Sequence, residues 1–389
     1  MSPGRRVPPA RANAGGPGVT RRTVAGSATL PLLLLLGLIG AGLVASAPAD
    51  AASSPPRDDD AAAIAALRRA VQAAAQFGYT GTQVVSTWTP GGTSTCVLEI
   101  RQVPGGARTV TVLPTTSGTH SGSTWPMDLA AFSGPMLDAL AAAYRLRVVG
   151  DSTVASTVAG RPATVVAAFR ADRAADAAGQ RAARGGEREV ARMWLDRDTG
   201  LMVRQDVRDA DGRLYRMAAF VDFRPTTRVD AVATAAAAVS GSPGWREEDP
   251  ADLRRWRSAG WPVPPRLGET FRLLDVRQMS AGGPVLHLTY GDGLSVVSVF
   301  LQQGRLDAGS LAGFREQRWN GSPVRVADGV PQRVVWQGGR TVITVIADAP
   351  PAELPGLLRA LPRDDGADAG AMATLRRGLS SLVRWARGG

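Results

Sequence analysis

The sequence contains no lysine, a single cysteine and only two histidines among its 389 residues. Without lysine the chain cannot carry the lysine of a Walker A phosphate loop or a lysine that forms a Schiff base. Cys96, His120 and His287 are too few for a zinc site of the usual histidine and cysteine kind. The sequence also lacks a Gly-x-Ser-x-Gly nucleophile motif. We therefore predict a protein that is not an enzyme and that holds no metal and no cofactor.

The same three residues have simple structural explanations. Cys96 lies in a predicted strand, and we expect a small buried hydrophobic residue rather than a reactive or intermolecular thiol. His120 lies in a polar loop with no carboxylate to orient it, which disfavours a hydrolase role. His287 alternates with leucines and is predicted to lie on a sheet face.

The basic residues are concentrated at the two ends of the chain. Residues 1–51 and 369–389 together carry +8 of the formal net charge of +11. The long middle section contains no basic stripe interleaved with aromatic residues, which a nucleic-acid surface would require. We therefore predict no nucleic-acid partner.

Residues 1–51 have the layout of an export signal. Arg21 and Arg22 precede an apolar run over residues 28–47, and small residues follow it. The run is also long enough to span a bilayer as an uncleaved anchor, so cleavage, which we favour, and anchoring in the cytoplasmic membrane both remain open. Either way the body of the protein is predicted to be extracytoplasmic, on the periplasmic or cell-envelope side, through general secretion.

Residues 57–230 are predicted to form a first domain with many strands and few helices. Apolar residues at helical spacing predict a helix that begins near Ala61, after Asp60 as its cap, and a second helix around Leu140. Strands are predicted at residues 82–88, 95–103, 109–113 and 161–170.

The most informative part of this domain is residues 192–223, which predict three antiparallel strands joined by two turns. The turns are residues 198–200 and 211–212, where Asp and Gly favour tight reversals. Apolar residues recur with Arg and Asp between the turns, as in a sheet with one face in water. Asp196, Asp198 and Asp206 lack the ligand spacing of a calcium loop, and we interpret them as turn residues.

Residues 231–262 are predicted to be a linker, because apolar periodicity is lost there, and residues 263–361 a second domain. Strands are predicted near residues 271–278, 285–290, 294–301, 331–337 and 340–347, with a hairpin at Gly338 and Gly339 and a helical segment at residues 351–361. Residues 369–387 form an apolar stripe beside arginines, which predicts an amphipathic helix that docks on the protein or on an anionic membrane.

Three segments carry a family resemblance: residues 192–223, residues 288–301 with their Asp-Gly turn, and residues 349–355. In this order and spacing they resemble the RseB/MucB family of extracytoplasmic regulators of envelope-stress sigma factors. The resemblance implies an α+β fold of two domains. The first would be a LolA-like, curved antiparallel sheet, an open β-barrel with helices, and the second a smaller antiparallel α+β domain.

The resemblance also implies a function. Family members bind the extracytoplasmic domain of a membrane-spanning anti-sigma factor, restrain its proteolysis and respond to lipid. The alternative is an extracytoplasmic carrier of lipid or lipoprotein, in which the cavity of the first domain would be the whole function. Seven residues are candidates for a ligand or partner groove, although ordinary core packing explains each of them as well: Trp88, Met193, Trp194, Tyr215, Met217, Phe220 and Phe223.

Overall fold

The structure, a computed structural model, describes residues 58–104, 108–113, 132–149, 157–171, 187–226, 245–250, 252–279, 284–307, 309 and 311–363. Two antiparallel sheets with few helices make up this part of the chain, which confirms the α+β class. The predicted export segment, His120 and the C-terminal stripe lie outside the described residues. No helix in the ranges just given is long and apolar enough to cross a membrane.

The first sheet is open. Its strands follow the order β3-β2-β1-β9-β8-β7-β6-β4 with β5 paired to β6, and the described parts of the terminal strands β3 and β4 do not pair with each other. The strands are β1 Gly78–Thr89, β2 Gly92–Gln102, β3 Arg108–Leu113, β4 Arg145–Val149, β5 Thr157–Val158, β6 Arg161–Ala171, β7 Glu187–Asp196, β8 Met202–Arg208 and β9 Leu214–Thr226.

Two helices, α1 Asp58–Gln76 and α2 Gly134–Ala143, supply side chains to the core of this sheet. Leu67 and Leu140 are fully buried in it, as the helical spacing predicts. Asp60, however, lies inside α1 and does not cap it. Its carboxylate accepts a hydrogen bond of 2.9 Å from the backbone N–H of Leu146 in β4, because that amide has no strand partner at the sheet edge.

The three-strand prediction for residues 192–223 is confirmed by β7, β8 and β9. Asp196 serves the first turn by accepting hydrogen bonds from the backbone N–H and hydroxyl of Thr199. Asp206 does not serve a turn, since it lies within β8 and pairs with Arg204. The expectation of one wet face is wrong for β7, where the adjacent residues Met193 and Trp194 are 0% and 4% exposed. Both faces of the sheet are therefore covered at this point.

The second sheet has nine described strands, in the order β10-β12-β13-β14-β18-β17-β16-β15 with β11 paired to β12. The five predicted strands are present, as is the hairpin at Gly338 and Gly339. The strands are β10 Trp245–Glu248, β11 Arg266–Leu267, β12 Phe271–Met279, β13 Val285–Gly291, β14 Val296–Gln303, β15 Arg315–Trp319, β16 Ser322–Ala327, β17 Gln332–Gly338 and β18 Thr341–Ala347. This half of the chain therefore has as many described strands as the first.

Short helical elements complete the second core. Residues 351–360 are a 3-10 turn, the helix α4 Leu354–Leu357 and another 3-10 turn, in place of one continuous helix. Strand β10 and the helix α3 Leu253–Ser258 fall within the predicted linker, and Trp256 and Trp261 are buried in the second core. Residues 245–262 therefore pack with the second sheet because their tryptophans need apolar cover, and the domain boundaries themselves stay predictions.

Candidate binding site at the junction of the two sheets

The turn between β13 and β14 extends from the second sheet into the core of the first. Leu294 is 2% exposed and belongs to the first core. Gly293 has φ +88° and lies against α2, where an added Cβ would be 2.4 Å from Leu140 Cβ and 2.6 Å from the carbonyl oxygen of Met136. Only glycine fits there, because the space and the backbone conformation both exclude a side chain.

Asp292 holds this turn and ties it to the first sheet. One carboxylate oxygen accepts hydrogen bonds from the backbone N–H groups of Leu294 at 2.9 Å and Ser295 at 2.8 Å. The other accepts a hydrogen bond of 2.5 Å from the hydroxyl of Tyr144, which follows α2. That hydroxyl also accepts a bond of 3.0 Å from Arg170 of β6. Burial, with the nearby Asp292, raises the pKa of Tyr144 well above its usual value, so the hydroxyl stays protonated as a donor.

A buried arginine makes the second set of contacts. Arg216 of β9 is 1% exposed and pairs with the carboxylate of Asp348. Its other terminal nitrogen donates to the carbonyl of Leu294 at 2.6 Å and to the side-chain oxygen of Gln205 at 3.2 Å. The neighbouring Tyr215 donates a hydrogen bond of 3.1 Å to the carbonyl of Ala349. Burial raises the pKa of Asp348 while Arg216 opposes that rise.

A cleft adjoins these contacts, and most of its polar side chains are charged. Arg170, Arg188 and Arg208 line it together with Asp292 and Glu353. Burial raises the pKa of Glu353, and Arg170 acts against this effect. Side chains of both charges in one cleft can recognise charged groups of a partner. No group of three or more metal-ligating side chains occurs within the described ranges.

Five of the seven predicted groove residues are core residues in this structure. Met193, Trp194, Tyr215, Phe220 and Phe223 are between 0% and 6% exposed and belong to the first core. The rings of Phe220 and Phe223 lie 5.0 Å apart. Such burial favours packing over a ligand-lining role for these five residues.

The remaining two candidates lie apart from this core. Trp88 is 36% exposed, and Met217 is half-buried and pairs with Ser86, two residues before Trp88 on the same strand. They share a sheet face, because residues two apart on a strand point the same way. Five candidates thus belong to the first core while Trp88 and Met217 do not, and a shared groove stays a prediction.

Sequence reasoning missed most of the junction. Tyr144 directly follows α2, and neither it nor Arg170, Arg216 and Glu353 carries a local signal of its role. Two of the motifs behind the resemblance, the Asp-Gly turn at Asp292 and the segment from residue 349, do mark the places where the second half of the chain meets the first sheet.

Comparison with known proteins supports the motif analysis. No protein-family model matches the chain. The chain is 28% identical over 211 residues to the sigma factor AlgU regulatory protein MucB of Pseudomonas aeruginosa, which covers 54% of this chain and 58% of that protein. It thus spans just over half the length of this curated relative. The match confirms the resemblance predicted from the motifs.

The solved structures named below align with this chain at TM-scores under 0.5. The Pseudomonas aeruginosa MucA/MucB complex aligns with a TM-score of 0.37 and 24% identity over 78% of this chain and 99% of that chain. A crystal structure of MucB gives 0.39 and 23% over 76% and 96%. A LolA superfamily protein from Nitrosomonas europaea gives 0.19 and 10% over 43% and 93%. The LolA-like description of the first sheet stays a prediction.

Proposed function

We propose that this RseB/MucB-like protein is an extracytoplasmic, non-enzymatic regulator that binds the outer segment of a membrane-spanning anti-sigma factor and restrains its proteolysis. The observation that carries the proposal is the 28% identity over 211 residues with MucB, which is by name a regulator of the sigma factor AlgU. The export layout of residues 1–51 supports the extracytoplasmic placement.

A protein without catalytic groups can control a protease by covering the segment that the protease must reach. The protected fraction then depends on affinity and on the concentration of the covering protein. An extended anti-sigma segment loses conformational freedom on binding, so part of the interaction free energy is offset. We therefore expect a moderate affinity, and we propose, from the family resemblance, that a lipid signal from the envelope releases the complex.

The junction favours a regulator over a lipid carrier. A carrier of the LolA kind needs one sheet and its cavity, whereas this chain joins a second sheet to the first through the buried contacts of Asp292 and Arg216. The second sheet thus adds surface for a partner protein that a one-sheet carrier would not need.

The test uses the exported chain and the outer segment of an anti-sigma factor encoded in the same genome. We expect the chain to retain that segment in a pull-down and to slow its digestion by the cognate protease. The outer segment of an unrelated membrane protein from the same genome is the control and should be neither retained nor protected. Absence of binding, or binding with an unchanged digestion rate, would contradict the proposal.

The same preparation tests the alternative function. Mass spectrometry of an organic extract measures lipid that purifies with the full chain. Stoichiometric lipid together with no retention of any anti-sigma segment would make the lipid or lipoprotein carrier the better account.

A further inference from the structure

Apart from the two-residue strands β5 and β11, the described sheets end in four strands, and three of these have protected outer edges. Helix α1 packs along β4, where Asp60 bonds the backbone of Leu146. Strand β10 has only four residues, three of them charged. In β15, Arg315, Glu316 and Arg318 are exposed. A covering helix, a short strand and charged side chains are the usual means by which proteins prevent a further strand from pairing.

The edge of β3 has none of these protections in the described part of the chain. Its six residues, Arg-Thr-Val-Thr-Val-Leu, contain no proline and one charged residue. It pairs with β2 in a continuous register without a bulge, and β2 is its one described neighbour. Its outer backbone groups are therefore aligned to accept another strand.

The side of β3 that faces the core is also incompletely covered. Val112 pairs with Leu98, which is fully buried in the first core, so the two residues lie on the same face. Yet Val112 is 50% exposed. Val110 lies on this face too, opposite Ile100, and packs partly against the core. Within the described residues, the apolar layer thus reaches the last strand, and no further strand covers it.

We propose that the outer edge of β3 binds an extended segment of the anti-sigma factor as an added strand. Alternate apolar residues of that segment would cover Val110 and Val112, while its backbone pairs with β3. Main-chain hydrogen bonds supply affinity in this mode, and alternate side chains supply specificity. The inference rests on the proposed function and identifies where, and in what conformation, the partner binds.

The dimensions of the edge favour an extended partner over a second copy of this chain. A strand of six residues is about 20 Å long. Two copies paired through this strand alone would bury less than the roughly 1,200 Å² typical of a stable interface. An extended segment can continue beyond the strand and make further contacts, whereas a second folded copy diverges from the edge.

The test compares Val112→Lys with Val221→Lys in the full chain. Val221 is 59% exposed but lies on β9, inside the sheet, so it is the matched control for added charge on an exposed valine. We expect Val112→Lys to weaken binding of the anti-sigma outer segment about tenfold or more, because the lysine places a charge against apolar groups at the edge. Val221→Lys should bind within about twofold of the unmodified chain.

Hydrogen exchange gives an independent measurement. In the complex of the unmodified chain, the backbone amides of residues 108–113 should exchange more slowly than in the free chain. If Val112→Lys lowers the melting temperature, Val112→Thr replaces it, since threonine keeps the β-branched shape while removing apolar contact.

The outcomes separate the inference from the function. Equal affinity of both lysine variants, with unchanged exchange at residues 108–113, would overturn the edge site while leaving the proposed regulator intact. No binding by the unmodified chain would remove the function itself. A dimer of the chain that Val112→Lys dissociates would assign the edge to a second copy and also overturn the inference.

Discussion

At the scale of single residues, His287 shows how completely the second sheet removes a titratable group from water. Its ring stacks on Phe300 with centroids 4.3 Å apart and an angle of 4° between the planes. Burial lowers the pKa of His287 to about 3, and Arg277 on the adjacent strand adds to this effect. The sequence prediction of a sheet-face histidine fits the structure, but alternation alone cannot show that the face is covered.

This burial predicts a pH dependence of stability. Between pH 6.5 and the folded pKa of about 3, the unfolded chain binds a proton at His287 that the folded chain does not. The stabilisation of the folded chain by its neutral His287 is complete above about pH 6.5 and is lost as the pH falls. Lowering the pH from 7.5 to 5 should cost the unmodified chain about 2 kcal/mol more than His287→Phe, as measured by urea unfolding.

Comparing the unmodified chain with His287→Phe separates the effect of His287 from that of the other titratable groups. Burial raises the pKa values of Asp348 and Glu353, so these two groups favour the folded chain more as the pH falls. The unmodified chain and the variant both carry them, so their effect cancels in the comparison. An identical loss of stability in His287→Phe would mean that His287 is not the source.

At the scale of structural elements, two Asp-Gly turns have the same local chemistry and different roles. Gly212 and Gly293 both have positive φ, +78° and +88°. Nothing lies within 4 Å of a Cβ built on Gly212, whereas one built on Gly293 would overlap α2. The first turn reverses the chain in open space, and the second packs against α2 of the first core.

The two glycines form a matched pair for mutation. Gly212→Ala should lower the free energy of unfolding by about 1 kcal/mol, the cost of positive φ alone. Gly293→Ala should cost at least about 3 kcal/mol, because α2 must also move away from the turn. Denaturant unfolding of both variants measures the difference in stability. Equal losses would show that α2 moves away from the turn at no additional free-energy cost.

The sequence predicts elements far better than it predicts how they join. Alternation and Asp-Gly turns locate β7, β8 and β9, and the Gly-Gly pair locates the β17–β18 hairpin. Strand β15 was missed because its sequence, Arg-Glu-Gln-Arg-Trp, has almost no apolar alternation. The bond between Tyr144 and Asp292 joins residues 148 positions apart, and no local pattern encodes such a contact.

At the scale of the whole molecule, the pair Arg216 and Asp348 links the two sheets. The side chains are 1% and 14% exposed. Removing one partner from a buried ion pair leaves a charge without compensation, which costs more than removing both. The pair therefore makes relative displacement of the sheets unfavourable.

A double-mutant cycle tests this coupling. Arg216→Leu should lower the free energy of unfolding by about 3–5 kcal/mol. Arg216→Leu with Asp348→Leu should lose less than the sum of the single losses, with a coupling of about 1–3 kcal/mol. The exposed pair Arg213 and Asp211, 76% and 65% exposed, is the control and should show little coupling. Additive losses at Arg216 and Asp348 would show that this ion pair does not couple the sheets.

The position of Leu294 in the first core also has a consequence for biosynthesis. The last described strand of the first sheet ends at Thr226, yet Leu294 of the second sheet is one of the buried residues of the first core. Synthesis runs from the N-terminus, so the described strands of the first sheet are made before Leu294. A chain that ends before Leu294 therefore lacks part of the first core, and we expect chaperones and quality-control proteases to recognise the apolar surface left open there.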